Sequence, residues 1–341
     1  MNPLELLNRT SIQYALEGRS IIDLDQLSFP TENAAIEFLQ CYGFDWNLPE
    51  DRAEIESIRK EAITFILEEL LNPDEQLPQT LANETNLPAL MCLLSFSEDE
   101  EYRGWICALL RVMHTLSHSF SYLNERYGEE IREQIFARFS PYISDDNEQV
   151  FFAEIPLERL EFRRSKSRRS VTMKLLQKRE NVAADIFDWI GLRFVTKNRF
   201  DILRVLQALR EKNIIMFANI KPSRSKNSLI DIEKLRSFSE LSTSFDSLEK
   251  QINDMPYPIE KNGHELNPYS EESYHAIQFT CRQRIKIKTN ELERYSFFFP
   301  FEIQLTDCNS YEESRSGRAS HQEYKTRQKR AVRKRILPHL K

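Results

Sequence analysis

The chain has 341 residues, enough to bury more than one core, and carries 47 Lys and Arg against 53 Asp and Glu for a net charge of −6. Apolar residues make up 40% and charged ones 29%, ordinary globular values, and no apolar run approaches the ~18 residues of a membrane span. Five scattered cysteines without a C-x-x-C pair argue against a disulfide framework or a structural zinc site, and with 7 glycines there is no glycine-rich phosphate loop, so any phosphate must meet side-chain cations.

The opening Met1-Asn2-Pro3-Leu4-Glu5 lacks the basic-then-apolar layout of a secretory signal, and a cytoplasmic protein without a membrane partner is expected. Charge is sorted along the chain. Residues 1–150 carry 28 acids and 10 bases, whereas 151–341 carry 25 acids and 37 bases. Two explanations are compatible: an acidic domain that docks on a basic one, or a basic half that collects a polyanion.

In chain order, Ile55, Ile58, Ala62, Phe65, Ile66 and Leu70 recur at helix spacing, and so do Trp105, Leu109, Val112, Met113, Leu116, Phe120 and Leu123. Asn72-Pro73-Asp74 and the polar stretch 78–88 separate them. A third helix is expected over Glu129–Phe139, stopped by Ser140-Pro141, and the acidic Asp145-Asp146-Asn147-Glu148 reads as a linker. Residues 1–150 thus form an acidic all-helical domain with a regulatory or interaction role. His114 and His118 share a helical face at i, i+4, but no acid stands between them, and packing against a neighbouring helix is the better reading than a metal site.

From 151 to 341 the pattern alternates. A helix is expected over 169–185, a strand at Gly191–Thr196, a helix at Phe200–Glu211 and a second strand at Ile214–Ile220. The polar stretch 222–270 reads as an insertion, a functional loop or a partly disordered segment. Strands resume at Tyr274–Ile287 and Tyr295–Leu305, and a basic helix spans Gly317–Leu337. The fold class is α+β, a mixed sheet flanked by helices and preceded by an all-α domain.

Asp188 stands just before one strand and Glu302 within another of the same expected sheet. Two carboxylates brought together there suit Mg²⁺, which takes one or two of them plus substrate phosphate oxygens, and a carboxylate beside the ion suits proton removal from a hydroxyl. Between Arg163 and Arg179 lie eight cations and no acid; such a run is commonly a solvated face, but its place before the Asp188 strand favours a polyphosphate. Ser170 and Lys174 share a helical face there.

Three segments resemble the motifs of RelA/SpoT-type pyrophosphokinases, the alarmone synthetases. Arg164-Ser165-Lys166-Ser167-Arg168-Arg169-Ser170-Val171-Thr172-Met173-Lys174-Leu175 resembles R-x-K-x-x-x-S-x-x-x-K-[LM], and Asp188-Trp189-Ile190-Gly191-Leu192-Arg193 is similar to D-x-x-G-[IL]-R. Glu302, Gln304, Gly317, Ala319, His321, Tyr324 and Lys325 fall as E-x-Q then G-x-A-x-H-x-x-Y-K. The resemblance covers about 160–337 and implies a nucleotidyltransferase-like synthetase domain that moves pyrophosphate from ATP to the 3′-hydroxyl of GDP or GTP, giving guanosine tetra- or pentaphosphate. It implies that Asp188 and Glu302 bind Mg²⁺, that Glu302 activates the acceptor hydroxyl, that Arg164 and Arg193 flank the adenine, that Lys166 and Lys174 contact the ATP phosphates, and that Ser170 also belongs to the ATP site. Tyr274 would stack on the acceptor base, with Gln304, His321 and Lys325 beside the acceptor nucleotide.

Departures fall on the acceptor side: Ser273, Ala276 and Gln278 stand where the family's N-G-Y-x-S-x-H has glycine, serine and histidine, and Thr306 replaces an arginine. No K-x-Y-I-x-x-P-K element occurs, and 222–270 stands as its substitute. Adenine nucleotides or a tRNA 3′ end are therefore open as acceptors beside GDP and GTP. The alternatives are a degenerate member that binds nucleotide as a sensor or scaffold, and a basic nucleic-acid-binding protein.

Overall fold

The computed structural model describes residues 28–119, 122–146, 149–163, 167–177, 188–241, 244–258, 275–288, 294–315 and 321–340. They fall into two units, each assembled from separated stretches: residues 1–120, 167–185 and 326–341 make a helical unit, and 121–166 with 186–325 make a sheet unit. The sequence pattern places one boundary near 150; the helical unit instead also takes in 167–185 and 326–341. The reason is apolar complementarity that no local periodicity reveals, because Leu176, Val332, Ile336 and Leu337 are fully buried in the same core as Phe65, Leu90 and Trp105.

The helical unit contains α1 (Glu32–Cys41), α2 (Pro49–Phe65, extended by a π turn at Ile66–Leu70), α3 (Gln79–Asn83), α4 (Leu87–Phe96), α5 (Glu100–His118) and α7 (Arg168–Gln177). Thr31, Asn86 and Asp99 start three of these, each side chain accepting a backbone N–H of the first turn. On α5, Gly104 is required by close approach: a Cβ there would stand 2.5 Å from the His339 ring. Alanine's better helix propensity, about 1 kcal/mol, cannot offset such a clash.

Cations of the basic run bind inside this unit. Arg168 pairs with Glu61 at 3.1 Å and donates to the Leu116 carbonyl, and Arg169 reaches Glu68 and Glu69. These pairs are a third to a half exposed and each contributes little. A less exposed one involves Arg333, whose guanidinium forks onto both Glu75 oxygens and donates to the Leu70 carbonyl at 2.9 Å. Arg333 holds the Glu75 carboxyl below its ordinary range. A depressed carboxyl stabilises the fold above its unfolded pKa and loses that contribution as the pH falls through the folded one. Arg333→Ala is therefore expected to cost about 1.5–3 kcal/mol at pH 7 in denaturant titrations. It should also flatten the pH dependence of stability below about pH 4.5.

The sheet unit begins with α6 (Tyr122–Phe136), longer than the helix expected at 129–139, and continues with β1 (Ile143–Asp145), β2 (Val150–Phe152), β3 (Ile155–Arg163), β4 (Gly191–Thr196), α8 (Arg199–Glu211) and β5 (Lys226–Asn227). Then come α9 (Ile232–Leu241), α10 (Phe245–Asp254), β6 (Ile277–Lys288), β7 (Arg294–Asp307) and α11 (Cys308–Arg315). A last helix, α12 (His321–Ile336), starts in this unit and ends in the helical one. The seven strands run β1-β2-β3-β4-β7-β6-β5, with β4 and β7 parallel and the other pairs antiparallel, a mixed sheet flanked by helices.

The strand expected at 214–220 is corrected. Residues 214–220 are not a strand: Ile214 and Ile215 plug the core after α8, while Met216 is exposed and Phe217–Asn219 is a 3₁₀ turn. The described part of the polar stretch 222–270 contains β5, α9 and α10, with α10 packed against α8, while 259–270 lies outside the described residues.

Register explains the two faces of the sheet. Leu160, Phe162, Leu192, Phe194, Phe301, Ile303, Leu305 and Phe279 share one face, where Phe139 meets Phe152, Phe194 and Phe301 ring to ring at 6.2–6.5 Å. The side chains one position along, Glu161, Arg163, Gly191, Arg193, Glu302, Gln304, Gln278 and Thr280, share the other face.

Candidate active site

The polar face is built in two register lines. Glu161, Arg193, Gln304 and Gln278 are aligned across β3, β4, β7 and β6; Arg163, Gly191, Glu302 and Thr280 form the adjacent line. Glu302 is only 6% exposed, and two side-chain amides hold it: Gln278 Nε2 donates to Oε1 and Gln304 Nε2 donates to Oε2 at 2.8 Å. Gln304 is oriented in turn, since Arg193 Nε donates to its Oε1 at 3.0 Å, and Arg193 Nη1 donates to Glu161 Oε2 at 3.0 Å. Tyr311 on α11 closes the chain by donating its hydroxyl to the other Glu161 oxygen, with the Arg159, Arg193 and Arg315 guanidiniums each 5.7 Å from its ring centre. A buried carboxylate needs such partners, because desolvation of an unpaired charge costs several kcal/mol.

Asp188 belongs to the turn that enters β4. Gly191, three residues later, is the register partner of Glu302, and the Glu302 N–H donates to the Ile190 carbonyl at 2.9 Å. Glu302, within β7, is therefore level with the first residue of β4, which Asp188 precedes by three residues. Gly191 leaves that end uncrowded: a Cβ there would stand 3.6 Å from Arg163 Cδ and 3.8 Å from the Glu302 carbonyl oxygen.

The other expected site residues are distributed as follows. Ser170 and Lys174 lie on α7 in the helical unit, Ser170 exposed and hydrogen-bonded to Ser167, Lys174 half-buried. Lys325 is exposed on α12, and His321 is the first residue of that helix. Arg164, Lys166 and Tyr274 lie outside the described residues, as do Gly317 and Ala319. Near Tyr274, His275 stacks on Tyr257 at 3.6 Å, and Arg199 stands 4.0 Å over the same tyrosine while pairing with Asp307 at 3.2 Å. The Thr306 hydroxyl, where the motif resemblance has an arginine, is used internally by the His275 carbonyl.

Glu161, Tyr311 and the Gln278–Glu302 bond escaped the sequence reading. Glu161 follows a register shift between Leu157 and Arg159, which breaks the period-two alternation that would have marked β3. In the sequence Gln278 stands out only as a departure from the motif; its partner becomes evident once β6 pairs with β7. In the helical unit, the Tyr42 hydroxyl bonds His114 Nδ1 at 2.8 Å and His118 Nδ1 bonds the His114 carbonyl, a packed pair. Among the described residues no three His, Cys, Asp or Glu side chains gather as a metal cluster. Burial pushes the Cys281 thiol up to about 12, which removes it as a nucleophile.

No family model matches the chain, and no curated protein matches it. Among solved structures, small alarmone synthetase 2 from Bacillus subtilis is similar at 15% identity and a TM-score of 0.33, covering 62% of this chain and 90% of that one. Small alarmone synthetase 1 from Bacillus subtilis bound to its product pppGpp gives 13% and 0.27, covering 68% and 93%. A GTP pyrophosphokinase family protein from Streptococcus pneumoniae gives 13% and 0.27, covering 54% and 73%. All three carry names of the kind the sequence motifs resemble; identities and TM-scores this low carry no argument about chemistry.

Proposed function

We propose that the chain is a Mg²⁺-dependent nucleotide pyrophosphokinase. The reaction joins the 3′-oxygen of an acceptor nucleotide to the β-phosphorus of ATP, breaks the α–β phosphoanhydride bond and releases AMP. The observation that carries this reading is that Glu302, on the polar face of the sheet, stands level with the first residue of β4, three residues after Asp188.

Both residues offer the oxygen ligands a hard cation takes, and one or two carboxylates completed by substrate phosphates is the usual Mg²⁺ donor set, so they fit the ion. The ion would neutralise charge building on the transferring group. Glu302 would take the proton of the acceptor hydroxyl; its two amide donors fix the carboxylate plane for that transfer. Gln304 is the hinge of the arrangement, because its amide links Glu302 to Arg193, assigned to the adenine. The roles of Arg164, Lys166, Ser170 and Lys174 toward ATP, and of Tyr274, His321 and Lys325 toward the acceptor, rest on the motif resemblance and belong to the same proposal.

The test is incubation of purified full-length protein with ATP, Mg²⁺ and, separately, GDP, GTP, ADP, AMP and tRNA, with AMP release and a 3′-diphosphorylated acceptor as readout. Formation of neither product with any acceptor sinks the reading. One observation favours a second reading, a nucleotide-binding sensor without turnover: Thr306 is turned to internal bonding at a position where the motif resemblance has an arginine. That reading expects nucleotide binding without AMP. A purely nucleic-acid-binding role is weakened because Arg168, Arg169 and Arg333 are engaged by Glu61, Glu68, Glu69 and Glu75.

A further inference from the structure

The helical unit holds a pocket of its own. It opens to solvent on one side and has about 60 Å³ of interior space. Its inner walls are buried apolar side chains from four helices, Leu39 on α1, Ile55 and Ile58 on α2, Leu87 and Met91 on α4, and Met113 on α5; Phe38, Phe44 and Leu110 are only partly buried.

The few polar groups in the wall already have hydrogen-bond partners. The Tyr42 hydroxyl and His114 Nδ1 are bonded to each other, Ser117 Oγ donates to the Met113 carbonyl, and Arg111 Nη1 points to the Arg335 and Ile336 carbonyls at 3.4 Å. Burial raises the Tyr42 phenol to about 12 and lowers His114 to about 4, so both are neutral at pH 7. Water needs two to four polar partners to be held in such a space, and here the walls have few to give. Two methionines add side chains that adapt to irregular apolar shapes.

From this lining we propose that the pocket binds an uncharged, hydrocarbon-rich small molecule, held by apolar contact along α2, α4 and α5. A single hydroxyl on such a ligand would meet the Tyr42–His114 pair. This site is independent of the carboxylate face, and its test does not involve transferase activity.

The full-length protein would be titrated with the uncharged fluorophore N-phenyl-1-naphthylamine, with decan-1-ol and decanoate as competitors. Expected are saturable enhancement at one probe per chain with a Kd below about 100 μM, displacement by decan-1-ol, and at least tenfold weaker displacement by decanoate. Met91→Trp, which fills the floor, and Leu110→Trp, on the partly exposed wall, should each weaken probe binding at least tenfold while the far-UV circular dichroism is kept. If Met91→Trp fails to fold, Leu110→Trp decides. Absence of saturable enhancement, undiminished binding by a folded Leu110→Trp, or competition by decanoate equal to that of decan-1-ol would overturn the proposal.

Discussion

Glu302→Gln is expected to abolish AMP release, with a loss of about 10²–10⁴-fold, the usual contribution of a positioned general base. The substitution keeps the shape and removes the charge and the proton-accepting capacity together, and with them the proposed Mg²⁺ ligand. It also carries a structural cost that can be separated from the chemical one. Both Glu302 oxygens accept amide N–H groups, from Gln278 and Gln304, so an amide at 302 must set its NH₂ against one of these donors. Gln304 cannot rotate to accommodate it without turning its oxygen away from Arg193 Nε. One unsatisfied buried group costs about 1–3 kcal/mol, visible as a lowered melting temperature. Gln278→Ala removes one donor without touching the carboxylate, and should share part of the stability loss with a much smaller loss of turnover. A folded Glu302→Gln protein that keeps activity within tenfold of wild type would show that this carboxylate does no chemistry.

Phe194→Ala is expected to destabilise the sheet unit by about 3–5 kcal/mol, the range for emptying a buried aromatic position. Phe194 is fully buried at the centre of β4 and lies 4.9 Å from the Phe152 ring and 6.3 Å from that of Phe139. Because it faces away from the carboxylates, the loss should be one of stability alone. Urea titration followed by a probe in the sheet unit should show the shift, with turnover per folded molecule retained. A loss below about 1 kcal/mol would mean that the four-phenylalanine cluster is not packed as described.

Much of the fold was legible where burial follows one period. On β4, Gly-Leu-Arg-Phe-Val-Thr reads as a strand, and β6 and β7 emerge from apolar and β-branched runs within a few residues of their observed limits. On α5 the apolar spacing marks the buried stripe from Trp105 to Leu116. Where the physics is tertiary the sequence is mute. β3 hides behind a register shift, and 214–220 imitates a strand because Ile214 and Ile215 are anchors rather than alternating positions. The membership of α7 in the helical unit depends on Met173 and Leu176 meeting residues about a hundred positions away. That the segments carrying Asp188 and Glu302 feed one sheet was legible; the amide clasp around Glu302, and Glu161 behind Arg193, required the strand order to be known.

The interleaved construction of the units bears on how the chain is made. Val332, Ile336 and Leu337 complete a core whose earlier members begin at Phe29, so vectorial synthesis leaves that core unfinished until residue 337 has cleared the ribosomal tunnel. Nascent chains would then expose an apolar seam for nearly the whole of translation. Chaperone holdases are the natural custodians of that interval.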